Sequence, residues 1–220
     1  MSVSGLFLVL FLLFHMSMNL AAVFSTEAYN AICEFLGANW YALAGTLILA
    51  AGVVVHLVYA TVLTLHNRSS RGSQRYAMTA EPEGVTWASR NMYVLGIIIV
   101  LGLLLHLYNF WYNMQFAEII GNHELGPFPP ADGAAYIAAL FSSPVYCIIY
   151  LVWFAAIWFH LTHGFWSAFH TIGWDNQTWL PRLKRIANVV ATIVFLCFAL
   201  VVIVFYLRSL GVRGGSCAGF

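Results

Sequence analysis

The chain has 220 residues, 62% hydrophobic and only 8% charged, with a mean hydropathy of +0.83, far from the roughly one-quarter charged share of soluble domains. A formal net charge of +1 offers no clustered basic excess to neutralise phosphates, which argues against a nucleic-acid partner. Cys33, Cys147, Cys197 and Cys217 form no Cys-x-x-Cys pair, which argues against iron–sulfur ligation and covalent haem attachment by this chain.

The first predicted span, 3–24, is uncharged and about the 20 residues long that a crossing needs. It is read as a retained span rather than a cleaved signal, because Met1 and Ser2 supply no basic residue. It holds His15. Residues 25–38 read as a short loop with Glu27 and Glu34. The second span, 39–65, contains His56. A polar connector over 66–90 follows, with Arg68, Arg71, Arg75, Glu81, Pro82, Glu83 and Gly84.

The third span, 91–116, contains His106, and a loop over 117–131 carries Glu118, His123, Glu124 and three prolines. Residues 134–169 are too long for one crossing. The fourth membrane helix is therefore placed at 142–170, starting near Ser142 or Pro144, with the preceding part interfacial; proline is tolerated at a helix start. A connector over 171–185 holds Asp175, Arg182, Lys184 and Arg185, and the fifth span, 186–207, has no histidine. Arg208 and Arg213 fall in the tail.

Seven of the nine basic residues (Arg68, Arg71, Arg75, Arg90, Arg182, Lys184 and Arg185) lie in the second-to-third and fourth-to-fifth connectors, and the opposite loops hold none. The positive-inside rule then puts those connectors and the N-terminus in the cytoplasm and the C-terminus outside. The expected architecture is an all-α integral membrane protein, one domain over 1–220, with five transmembrane helices in an up-and-down bundle. Trp40, Tyr41, Trp87, Tyr93, Trp111, Tyr112, Trp174 and Trp179 cluster near span ends, as an interfacial aromatic belt does.

Eight histidines are many for a chain so poor in polar residues. At a rise of about 1.5 Å per residue, His15 and His106 lie roughly 18 to 22 Å from the inner face, and His56 and His160 roughly 14 to 15 Å. Four imidazoles on four helices, pairable by depth, match the needs of two bis-imidazole b-type haems. A single membrane histidine equally serves a helix–helix hydrogen bond or a proton relay; the matched depths favour haem. Gly52, Gly102 and Gly164 stand four residues from His56, His106 and His160, on the same helical faces. They either let a flat macrocycle approach the backbone or mediate helix packing.

His163, three residues from His160, could replace it as ligand, bond a haem propionate or line the cavity. His66, His123 and His170 read as solvated or interfacial. Nucleophilic triads, paired catalytic carboxylates and phosphate-binding glycine loops are absent, so the chain is no catalyst by itself.

Several motifs carry a family resemblance: residues 5–20 with His15 followed by Asn19, Val55-His56-Leu57-Val58-Tyr59, Ser89-Arg90-Asn91-Met92, Leu105-His106-Leu107, and Phe159-His160 followed by His163-Gly164-Phe165-Trp166-Ser167 and a Thr171–Gly173 turn. With these the chain resembles the single-subunit, five-helix, di-haem cytochrome b anchor of succinate:quinone oxidoreductases and quinol:fumarate reductases, the b558 group. The resemblance implies two haem b groups. His15 and His106 would be the axial ligands of the outer one and His56 and His160 of the inner one, with His163 as a further haem contact.

It also implies a cytoplasmic flavoprotein with FAD and an iron–sulfur subunit as partners, which admit a dimer of heterotrimers. The quinone, menaquinone in preference to ubiquinone, would react near the outer face, and the home would be a prokaryotic inner membrane. Glu34, and after it Glu27, are the candidate carboxylates for quinone proton transfer. Some quinol-oxidising relatives place a glutamate before the fourth-helix ligand, whereas residues 153–159 hold no carboxylate. The competing readings are a di-haem b subunit of a hydrogenase or formate dehydrogenase, and a haem-free proton-coupled transporter.

Overall fold

The computed structural model describes the backbone of residues 1–37, 39–70, 86–174 and 176–215, with side chains as far as 211. Every regular element among them is helical: α1 (Ser2–Phe24), α2 (Thr26–Gly37), α3 (Trp40–Ser70), α4 (Trp87–Arg90), α5 (Met92–His106), a π-helical segment (Leu107–Phe116), α6 (Ala117–Ile120), α7 (Gly133–Phe141), α8 (Pro144–Thr171) and α9 (Trp179–Gly215). Five helices are long and apolar enough to cross a membrane: α1, α3, the continuous run Met92–Ile120, α8 and α9. The chain is a multi-pass membrane protein. Helices are what apolar sequence must form there, because hydrocarbon offers no partner to a free backbone N–H or C=O.

Local chemistry sets the joints. Ser25 is extended after α1, and its Oγ accepts the Ala28 N–H at 3.1 Å while donating to Glu27 at 2.9 Å. A capping hydroxyl and an early acidic residue are good helix-start signals. Residues 26–37 therefore form α2 rather than the loop expected from their polarity. α2 buries Tyr29 and is tied to α7: Asn30 donates to Asp132 at 2.8 Å and accepts the Ala134 N–H at 2.9 Å, and Asp132 accepts the Ala135 N–H at 3.1 Å. The two short helices thus lie together beside the spans. α8 begins at Pro144, behind an extended Ser143, where sequence places it. Gly121 and Gly173 take positive φ (66° and 96°) after α6 and α8, a conformation that glycine enters without a Cβ penalty.

Four expected boundaries move. The third span runs on to Ile120, so Glu118 lies on α6 rather than in a loop. α3 runs on to Ser70, so His66 and Arg68 lie on a helix rather than in a connector. α9 starts at Trp179, which puts Arg182, Lys184 and Arg185 in its first turns. Arg208 lies within α9, not in a tail, and donates to the Val23 carbonyl at 2.8 Å, satisfying one orphan acceptor at the C-terminus of α1. Arg71, Arg75, Glu81, Pro82, Glu83, Gly84 and Asp175 lie outside the described residues, as do the side chain of Arg213 and Cys217.

The core sits between α8 and α9. Ala187 and Ala191 are fully buried and let α9 approach closely. Trp158 donates across to Thr192 at 3.1 Å. By contrast α3 contains no buried residue, and its Leu47, Ile48, Val54 and Val58 are exposed, the surface a lipid-facing helix presents. Trp40, Trp87, Trp174 and Trp179 are exposed near helix ends.

Candidate functional site: two facing histidine pairs

α1 and α5 bring His15 and His106 together with ring centres 5.8 Å apart, nearly perpendicular at 86°. α3 and α8 do the same for His56 and His160, with ring centres at 6.4 Å and 67° between planes. These are the pairs that depth assigns. All four rings are partly buried.

The His15–His106 pair, the one expected to lie nearer the outer face and so the outer pair, stands in an aromatic enclosure. Phe11 stacks on His15 at 5.4 Å and Phe198 of α9 lies 5.9 Å away. His106 meets Phe110 at 5.1 Å, Trp153 at 5.6 Å and Tyr150 at 6.4 Å. Such rings keep water from the imidazoles. A polar thread also reaches His15: Tyr29 donates to Asn19 Oδ1 at 3.1 Å, and Asn19 Nδ2 donates to the His15 carbonyl at 2.8 Å and lies 3.3 Å from its ring Nε2. The bond to the carbonyl sets the amide orientation, so the Asn19 Nδ2 group lies against the ring, 3.3 Å from Nε2 and 3.5 Å from Nδ1.

In the inner pair, His56 Nδ1 lies 3.3 Å from Ser4 Oγ of α1. Ser4 stands 52 residues from His56 in the chain, and no local signal links them.

The residue directly after His106 opens the π-helical segment, where sequence predicts an unbroken α-helix. π-helical turns recur at functional sites. This one turns Asn109 to donate to Tyr150 at 3.1 Å. It sets Gln115 to accept from Thr46 at 2.8 Å and Trp111 at 2.9 Å while donating to the Leu36 carbonyl at 3.3 Å. The segment after the outer pair is thereby fastened to α2, α3 and α8.

Two of the three glycines near the histidines are filled by side chains rather than left for a macrocycle. A Cβ on Gly52 would press on the Phe7 ring, and one on Gly102 would overlap the Trp153 indole, whose Nε1 donates to the Ile99 carbonyl at 3.0 Å. At Gly164 a Cβ would meet only ordinary contacts, Met92 at 3.7 Å and His160 at 3.9 Å. Helix packing accounts for Gly52 and Gly102, and Gly164 alone of the three would take a Cβ without overlap, in ordinary contact with Met92 and His160.

The ring contact of His163 is with Trp166 rather than with a member of either pair. Its ring stands edge-on to Trp166 at 5.0 Å, and Lys184 lies over the other side of that cluster, 4.7 Å from the Trp166 ring centre. Glu27 and Glu34 are both exposed on α2. Backbone and Ser25 hydrogen bonds hold the Glu27 carboxyl below the usual glutamate range. Glu118, which sequence lists only as a loop residue, is 24% exposed and 3.7 Å from His123 Nδ1; both line an open cavity of about 520 Å³ with Phe128 and Pro130.

One observation tests whether the histidines fit a haem iron; the buried, unpartnered Nδ1 atoms of His106, His160 and His163 do not set the paired rings apart from His163. A metal between two imidazoles, at about 2 Å per bond, holds ring centres roughly 6 Å apart, close to both separations here. The residues fit the group.

No protein-family model, curated protein or solved structure matches the chain.

Proposed function

We propose that the chain is the membrane anchor and electron-transfer subunit of a succinate:quinone oxidoreductase or quinol:fumarate reductase. His15 and His106 would hold one haem b, and His56 and His160 another. The observation that carries this reading is the facing of two histidine pairs, at 5.8 and 6.4 Å, drawn from four helices. Each pair would supply two imidazole nitrogens to a haem. Bound there, haem supplies one-electron redox chemistry at two depths.

The protein's own part is to orient and to exclude water. α1 and α3 present one imidazole to each pair, and α5 and α8 present the other. Phe11, Phe110, Trp153 and Phe198 shield the outer pair. In this reading the N-terminus and the arginine-bearing ends of α3, α4 and α9 face the cytoplasm. There they dock a flavoprotein and an iron–sulfur protein, the home being a prokaryotic inner membrane. Quinone turnover belongs to the other face, where proton transfer needs a carboxylate. Glu34 and Glu27 stand exposed on α2, and Glu118 with His123 lines the nearby-lying 117–131 loop cavity.

A second reading has one observation in its favour. The hydrogen-bonded run Tyr29–Asn19–His15, continued by the facing His106, also suits a haem-free proton relay.

A reduced-minus-oxidised spectrum of the purified chain separates the two. Two b-type haems per chain are expected, and no b-type absorption overturns the cytochrome reading. Co-purification then tests the complex: a flavoprotein and an iron–sulfur protein are expected, and a hydrogenase or formate dehydrogenase in their place overturns the succinate/fumarate assignment.

A further inference from the structure

The inner pair differs from the outer in how its first imidazole is held. Ser4 Oγ donates to the Met1 carbonyl at 2.9 Å, and the same oxygen lies 3.3 Å from His56 Nδ1. A hydroxyl has one hydrogen and two lone pairs. With that hydrogen directed at Met1, Ser4 can meet His56 only as an acceptor. The network therefore assigns the ring hydrogen of His56 to Nδ1 and leaves the lone pair on Nε2.

We infer that Ser4 is a positioning residue for the inner haem site, holding His56 in the tautomer whose Nε2 is free to ligate. The inference rests on the haem reading above. Its partner across the site has no such support, since His160 Nδ1 is buried without a hydrogen-bond partner. Ser4 thus makes the two imidazoles of one pair inequivalent. Gly5 works beside it: a Cβ there would stand 3.5 Å from His56 Cε1, so the ring lies directly along α1. The contact crosses from α1 to α3, and α3 contributes no buried residue of its own. Ser4 accordingly fixes the ring of a helix that packing holds weakly.

A hydrogen bond from Nδ1–H to an acceptor fixes ring orientation and raises ligand basicity, and losing such a partner typically weakens metal holding by about 10–100-fold. A more basic imidazole favours the ferric over the ferrous iron, so its loss raises the reduction potential.

The test uses the full chain, purified with any partners it brings, as wild type, Ser4→Ala and Ser4→Thr. Haem count, redox titration and the low-spin ferric EPR spectrum are measured. The expected Ser4→Ala result is two retained haems, one with an altered EPR signal and a raised potential. A tenfold selective loss of ferric affinity corresponds to about 59 mV in a one-electron couple. The second haem should not move, and Ser4→Thr, which keeps the hydroxyl, should restore the wild-type values. Two haems with unchanged signals and potentials in Ser4→Ala overturn the role of Ser4 alone, as does an equal shift in Ser4→Thr. A wild-type chain with no b-type haem overturns the haem reading first, and the role of Ser4 with it.

Discussion

His15 on α1 and His106 on α5 stand with ring centres 5.8 Å apart, although 91 positions separate them in the chain and Phe11 and Trp153 crowd their other sides. Apolar neighbours alone would leave these polar rings costly at membrane depth. The facing of the two rings is the arrangement on which the proposed haem site rests.

The members of the stretch Phe159–Ser167 separate by contact. His160 faces His56 at 6.4 Å, whereas His163 stands on Trp166. His160→Ala should lose one of two haems and His163→Ala should keep both, counted by pyridine haemochrome. Loss in His163→Ala with retention in His160→Ala would show that the wrong imidazole of the two has been chosen.

Gly102 and Gly96 lie on the same helix with opposite surroundings. A Cβ on Gly102 overlaps the Trp153 indole, while one on Gly96 meets nothing within 4 Å. Gly102→Ala should destabilise by about 1–3 kcal/mol through overpacking and should also disturb His106, whose ring lies 5.6 Å from Trp153. Gly96→Ala should be neutral or stabilise by about 0.5–1 kcal/mol. Thermal unfolding in detergent distinguishes them, and equal effects would contradict the packing described for Gly102.

Glu27 supports the start of α2 as an anion. Its carboxyl is held low by its backbone hydrogen bond and by Ser25, so the folded form titrates below the unfolded form. The contribution is present above the ordinary glutamate range and is lost as pH falls through the folded value. Protection of the Ala28 amide, which donates to Ser25 Oγ, should fall over that acid window in the wild type, once exchange is set against the intrinsic rate at each pH. In Glu27→Gln the pH dependence should vanish.

Cys33 is a thiol in reach of alkylating reagents yet ill suited to them. It is only partly buried, but burial is the main cause that pushes its thiol up to about 11. The thiolate is the reactive form. At pH 8 its alkylation should run about two orders of magnitude slower than that of an unperturbed cysteine, read by mass spectrometry after timed iodoacetamide treatment. Rapid labelling would show that α2 does not sit against α7 as described.

Membrane character, the number of spans and the start of α8 at Pro144 were legible because each depends on local composition: apolar length, charge and a proline placed where its missing N–H does no harm. The two histidine pairs were legible by depth, because helical rise converts chain position into height. α2 was misread as a loop because its polar residues are held by capping and by α7, and the partner residues Asp132 and Ala134 lie about a hundred positions away. The π-helical turn after His106 escaped because one added residue per turn leaves no mark in composition, and the contacts of Asn109 and Gln115 that fasten it are with Tyr150, Thr46 and Leu36 on other helices.

By itself, then, the sequence determined a multi-pass all-helical chain with four histidines at two heights, since hydrophobic length and rise per residue are properties of each segment alone. Only the tertiary structure decided which way those imidazoles turn, which glycines are filled by Phe7 and Trp153, and that Ser4 stands against His56. Rotation about a helix axis and contact between helices depend on side chains remote in the chain, and no single segment encodes them.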